Sequence, residues 1–249
     1  MTYGSEKIPL HCSKCPLRRL DLFLPFDEEE IKFMESFKSG DMIVEPGTHL
    51  FIEGAEAAQL YTVLSGLGIR YKTLENGRRQ VVNFVMPGDF LGLQAGVMQK
   101  MSHSIEVTTK MRLCVFERSR FYELYKNQPD RGYSLTYLAA LEEYFLAEAL
   151  TTVGQRGALE KVSWGLHRFR IRGEALGLLK NGKVPLPFKQ QDLADALGLS
   201  LVHTNKTLAK LRSDGIANWQ DGELEVKDFQ ALTKLAMVED FELPKRPLI

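Results

Sequence analysis

Cysteine is scarce in this chain of 249 residues: there are three, Cys12, Cys15 and Cys114. So small and odd a number excludes a disulfide framework and points to a reducing compartment. Net charge is absent too, because Lys plus Arg and Asp plus Glu each number 32, so bulk charge names no partner. No apolar run approaches the length of a membrane span. The first ten residues, MTYGSEKIPL, lack the apolar core of a signal peptide. These absences lead to the expectation of a cytoplasmic protein with no membrane partner. Histidine is sparse as well, with five in all. Only His49 and His103 fall in the β-rich part of the chain, far apart and without H-x-H spacing. A cupin-like metalloenzyme, which needs two or three clustered His plus a carboxylate, is therefore only a remote alternative, and the chain is read as not an enzyme.

What is present is the composition of a soluble globular protein, 44% hydrophobic and 26% charged, with room for one large domain or two moderate ones. The charge is unevenly placed. Between Gly154 and Gln220 eleven basic residues face five acidic ones, leaving the remainder mildly acidic. A basic segment beside an acidic one suggests a polyanion-binding module attached to something else.

The texture changes along the chain. Residues 1–26 read as an N-terminal arm. DEEEIKFMESF, from Asp27, is an amphipathic helix with an acidic first turn. From Gly40 to Phe116, short β-rich pieces (DMIVE, HLFIEG, LYTVLSG, GIRYKTL, RQVVNFV, HSIEVTT, MRLCVFE) alternate with turn residues. Many short strands with regular turns indicate a sandwich or barrel, and Asn76-Gly77 is a hairpin signal. Residues 129–153 form a long helix with Leu138, Leu141, Phe145, Ala149 and Thr152 on one face, broadened by Leu135, Tyr137, Tyr144, Leu146 and Leu150. That much apolar surface must be buried against its own domain or against a second subunit.

The strongest signal is PFKQQDLADALGLSLVHTNKTLAKLRSDGIANWQDGELEV, residues 187–226. Lys189 to Leu197 is a helix, Gly198 a turn needing positive φ, and Ser200 the N-cap of a helix over 201–213. Leu201, Thr204, Leu208 and Leu211 are its expected buried face, while His203, Asn205, Lys206, Lys210 and Arg212 are its outer one. Ile216 to Trp219, the Asp221-Gly222 turn and Glu223 to Val226 make a hairpin. Helix, tight turn, capped helix and hairpin compose a winged helix-turn-helix. Its second helix fits the major groove of double-stranded DNA, with N-terminal residues at base edges and basic side chains on phosphates.

Taken with PGDFLGLQAG (87–96), CVFERSRFYEL (114–124) and DLADALGLSLVHTNKTLAKLRSDGI (192–216), this order resembles the Crp/Fnr family of bacterial transcription regulators over nearly the whole chain. The resemblance implies an α+β architecture: an N-terminal β jelly roll of the cyclic-nucleotide-binding type (27–128), a long dimerisation helix (129–153), a C-terminal winged helix-turn-helix (154–238) and a tail (239–249). It implies a homodimer binding two-fold symmetric DNA and touching RNA polymerase, with DNA affinity controlled by a signal at the jelly roll. The family's base-reading positions fall on Val202, Asn205 and Lys206. The DNA-contact set is Ser200, Val202, His203, Asn205, Lys206, Lys210 and Arg212.

Two sensing modes follow from the resemblance. Cyclic AMP needs a Glu and a buried Arg-Ser pair. Here the region reads Gly88-Asp89-Phe90-Leu91-Gly92, then His103-Ser104, so cyclic AMP and any cyclic-nucleotide site are not expected. A [4Fe-4S] cluster needs four soft ligands. Cys12, Cys15 and Cys114 match three of the family's cluster positions and Asp21 falls on the fourth. The alternatives for these cysteines are an oxygen- or redox-sensing cluster, zinc, a thiol switch, or burial with no further role.

Overall fold

The structure, a computed structural model, describes residues 10–239 and 243–249. Residues 1–9 of the expected arm and 240–242 of the expected tail lie outside the described residues. The arm is anchored rather than loose. Two short 3-10 turns, Cys12–Lys14 and Pro16–Arg19, place Cys15, Leu17 and Phe23 in the core. Helix α1 (Glu28–Phe37) starts at Asp27 with a reciprocal cap, Glu30 N–H to Asp27 at 2.8 Å and Asp27 N–H to Glu30 at 2.9 Å.

Every β-rich piece named from the sequence is a strand. β1 (Gly40–Val44), β2 (His49–Phe51), β3 (Gln59–Ser65), β4 (Gly68–Thr73), β5 (Arg79–Val85), β6 (Phe90–Leu91), β7 (Ser104–Val107) and β8 (Met111–Glu117) form two four-stranded sheets, ordered β1-β8-β3-β6 and β2-β7-β4-β5. All of these pairings are antiparallel. The inner faces meet through Leu60, Val63, Ile105, Met111, Leu113 and Phe116, none more than 2% exposed. This is the expected jelly roll, with the short helix α2 (Leu93–Met98) between β6 and β7. The Asn76-Gly77 hairpin joins β4 to β5, but positive φ is confined to Gly77; the Asn76 side chain accepts from Arg78 N–H at 3.0 Å instead.

Helix α3 (Phe121–Asn127) leads into α4 (Pro129–Gln155). The inner face of α4 buries Leu135, Leu138 and Thr152, while Tyr144, Leu146 and Leu150 stay exposed. The last unit holds α5 (Ala158–Ala175), β9 (Lys183–Pro185), α6 (Gln190–Leu197), α7 (Leu201–Ser213), β10 (Ala217–Gln220), β11 (Glu223–Val226) and α8 (Phe229–Ala236). The three strands form a sheet ordered β10-β11-β9. Its core is Val162, Leu166, Leu186, Leu193, Leu211, Leu224 and Leu232, continuous with Leu64, Leu67, Ile69 and Met86 of the jelly roll and with Leu17 and Phe23 of the arm. The winged unit is therefore packed against the roll, not hung from it.

Candidate nucleic-acid interface

Helix α6 begins at Lys189, whose N–H donates to the Asp192 carboxylate at 2.9 Å, and stops at Gly198 with φ 63°. A left-handed residue here turns the chain in two residues, and glycine adopts it without steric cost. Ser200 then caps α7, its Oγ accepting His203 N–H at 3.2 Å. Thr204, Thr207 and Leu211 face inward. This corrects the sequence reading at Leu201, which is exposed, and adds Thr207, which is buried; Leu208 is half-buried against the core. Threonine serves inside because each hydroxyl donates one turn back, Thr204 to Ser200 O at 3.2 Å and Thr207 to His203 O at 2.9 Å. Burial without an unsatisfied hydroxyl hides the position from a hydropathy pattern.

The outward row is Val202, 64% exposed, with His203, Asn205 and Lys206 beside it. Lys210 and Arg212 are exposed further along, and Lys210 Nζ is held by Asp214 at 2.9 Å. The wing is the β10–β11 hairpin, turned at Asp221 (φ 52°) and Gly222 (φ 74°) and fixed by Trp219 Nε1 donating to Leu186 O at 2.9 Å. The third strand, β9, was not legible: three residues ending in proline carry no period, and only their pairing with β11 makes them a strand.

This unit is clamped to the jelly roll at two places. Arg79 on β5 meets Asp192 at 2.5 Å and Asp195 at 3.1 Å on α6. Arg172 on α5 donates to both oxygens of Asp89, at 3.0 and 3.1 Å. Despite the cost of its burial, Asp89 is held below the usual carboxylate range by Arg172 and Arg246.

A cavity of about 500 Å³ lies between β4, β6, α2, α4 and α5; Arg70, His103, Leu138, Glu142 and Arg168 are on its wall. Burial pushes the His103 imidazole down to about 3, with Arg70 and Lys72 adding to it, so at neutral pH His103 is uncharged and cannot replace an arginine against phosphate. Ser104 Oγ is already occupied by Glu53 N–H at 3.0 Å. Arg168 stacks over Phe145 at 4.6 Å and Trp164 at 5.2 Å.

The cysteines converge. Cys12, Cys15 and Cys114 line one small cavity of about 30 Å³ with Arg18, Lys38 and Thr62. Asp21 does not join them: it is exposed in the turn after the second 3-10 segment. Among the described residues no group of three or more His, Cys, Asp or Glu is placed to hold a metal ion. Burial pushes the Cys12 and Cys114 thiols up to about 12, with Glu35 adding to the shift at Cys12. A one-water space between the thiols, with Asp21 turned away from them among the described residues, does not fit a [4Fe-4S] cluster. His49 is engaged with Tyr71 Oη at 3.1 Å, and among the described residues neither it nor His103 belongs to a group placed to hold a metal ion, as a cupin-like centre requires.

Comparison with known proteins fits this anatomy. A family model described as "Cyclic nucleotide-binding domain" matches residues 41–128, and one described as "Crp-like helix-turn-helix domain" matches residues 159–235. The chain is similar to the transcriptional activatory protein AadR of Rhodopseudomonas palustris, 33% identical over 89% of this chain and 91% of the relative. It is 30% identical to the nitrogen fixation regulation protein FixK of Bradyrhizobium diazoefficiens, over 90% of this chain and 93% of that one. It is 28% identical to the transcriptional activator protein FnrL of Cereibacter sphaeroides, over 87% and 88%. The solved structure of FixK2 from Bradyrhizobium japonicum shares the fold, with TM-score 0.73 and 24% identity over 80% of this chain and 98% of that one. No helix among the described residues is long and apolar enough to cross a membrane. With both characteristic modules in order and a relative one-third identical over nearly its whole length, the chain belongs to the Crp/Fnr family of transcription regulators, and it is not an enzyme.

Proposed function

We propose that the chain acts in the cytoplasm as a homodimer that reads a two-fold symmetric DNA site with α7. The observation that carries this is the exposed row Val202, Asn205 and Lys206 on a helix whose N-terminus is capped and whose back is buried. Asn and Lys donate to base edges; Val202 offers an apolar contact such as a thymine methyl; Ser200, His203, Lys210 and Arg212 lie where phosphates pass. The exposed face of α4 carrying Leu146 and Leu150 supports pairing with the same helix of a second copy. The activator names of two relatives support contact with RNA polymerase.

The signal is read as a small effector in the 500 Å³ cavity, a volume suited to one organic molecule and bounded by both the roll and the winged unit. The cysteines are read as apolar filling between arm and roll. The test is selection of duplexes from a random-sequence pool by the purified chain, followed by gel shift. A palindromic consensus bound by a dimer is expected. Failure to enrich any sequence at low salt overturns the reading.

A further inference from the structure

Residues 243–249, which follow α8 in sequence, lie against the arm and the roll. Arg246 bridges Phe23 of the arm in parallel: Leu24 N–H donates to Arg246 O at 2.9 Å and Arg246 N–H to Leu22 O at 2.8 Å. Its guanidinium reaches the turn before β6, donating to Gly88 O at 2.8 Å and Asp89 at 3.2 Å. Gly88 has φ 84°, and a Cβ there would sit 2.2 Å from the Phe23 ring, so arm, turn and tail fit only with glycine. The end is sunk in the roll. Leu248 and Ile249 are buried; Arg131 of α4 donates to Leu248 O at 3.3 Å and Thr62 of β3 to Ile249 O at 2.5 Å. Tyr137 of α4 donates to Lys245 O at 3.2 Å.

The tail thus bonds to the arm, the roll and α4, while the chain it continues from belongs to the winged unit. Asp89 joins the ends of the arrangement, taking Arg246 from the tail and Arg172 from α5. We propose that residues 243–249 are an intramolecular strap that holds the winged unit against the roll with α7 turned outward, and so preorganises DNA binding. Without the strap, the α4–α5 junction is the sole covalent tie between the two units. Closing a second tie removes orientations that binding would otherwise have to freeze out. The strap does not occlude: none of its bonded partners lies on α7, and Val202, His203, Asn205 and Lys206 remain exposed.

The DNA half of this inference rests on α7 being the base-reading helix; the strap itself does not. The full chain, Arg246→Met and a chain ending before residue 243 are compared by hydrogen–deuterium exchange and by gel shift on a duplex selected by the full chain. Both variants are expected to exchange faster across α5, α6 and β5, and to bind DNA about tenfold more weakly with an unchanged salt slope. Unchanged exchange in Arg246→Met overturns the strap, whether or not the shortened chain folds. Faster exchange with equal or tighter DNA binding overturns preorganisation. If the full chain selects no DNA, the interface reading fails, and exchange alone decides the strap.

Discussion

Arg79 and Asp192 lie 113 positions apart and meet at 2.5 Å, joining the edge strand β5 of the roll to the first helix of the helix-turn-helix. Asp192 does two things at once, because its other oxygen accepts Lys189 N–H at 2.9 Å and caps α6. Arg79→Ala should cost about 1–2 kcal/mol, the worth of a partly exposed charge-assisted contact. Asp192→Ala should cost about 2–4 kcal/mol, because the cap goes too and Arg79 is left facing Asp195 alone. Urea unfolding of the full chain measures both; equal losses would show that the cap is idle.

If α7 reads DNA as proposed, its outer face should divide by task. Asn205→Ala and Lys206→Ala should relax sequence preference by about 1–3 kcal/mol at one base pair each. Arg212→Ala should weaken all sequences alike and lower the salt slope by about one. Lys210→Ala should do less, since Asp214 already lies 2.9 Å from its ammonium. Asp214→Asn, which frees that charge, should tighten binding. Competition gel shifts over a salt series separate these effects.

His103 gives the fold an acid limb. Its folded value of about 3 lies below the ordinary 6.5, so the unfolded chain takes up a proton that the folded chain refuses. Stability therefore falls as pH drops below about 6.5, by up to ~1.4 kcal/mol per pH unit, until the folded value is reached. His103→Gln should flatten this limb between pH 6 and 4 in thermal melts. Asp89 works with the same sign at lower pH: its depressed value keeps its contribution intact at neutral pH, to be lost only as pH falls below the ordinary carboxylate range.

Much of this was legible in the sequence because local chemistry and tertiary role agree. Gly198 and Ser200 fix both ends of a turn, and α7 runs from Leu201 to Ser213 as that pair implies. The strands of the roll were readable from alternation and turn residues. Helix α2, strands β6 and β9 and helix α8 were not, being short or dependent on pairing with distant chain. The strap was invisible: Leu248 and Ile249 form no period, and nothing local links Arg246 to Asp89 across 157 positions. The cysteines show the reverse case. Resemblance grouped Cys12, Cys15, Asp21 and Cys114; the three cysteines line one cavity, while Asp21 is exposed in a turn that no local pattern announces.

The thiols should then be dispensable as chemistry. At values near 12, Cys12 and Cys114 stay protonated at neutral pH and are weak nucleophiles. Cys12→Ser combined with Cys114→Ser should leave DNA affinity unchanged under air and under reductant, and anaerobically purified chain should carry no stoichiometric iron. A coloured, iron-loaded protein whose DNA affinity collapses in air would restore the cluster.

The proposed dimer is tested on the α4 face. Leu150 is 74% exposed and Leu146 42%, one helical turn apart, so in an isolated chain they support nothing. Leu146→Glu with Leu150→Glu should therefore leave the unfolding free energy of a single chain within about 0.5 kcal/mol. If the same face pairs with a second copy, four carboxylates are brought into one apolar seam, and the dimer should dissociate. Sedimentation at micromolar concentration would show a monomer. Gel shifts would show half-site binding weakened by the lost second contact, since two recognition helices on one frame gain from effective concentration what one alone does not. An unaltered dimer carrying both substitutions would place the two-fold axis elsewhere, and with it the half-site spacing read by Asn205 and Lys206.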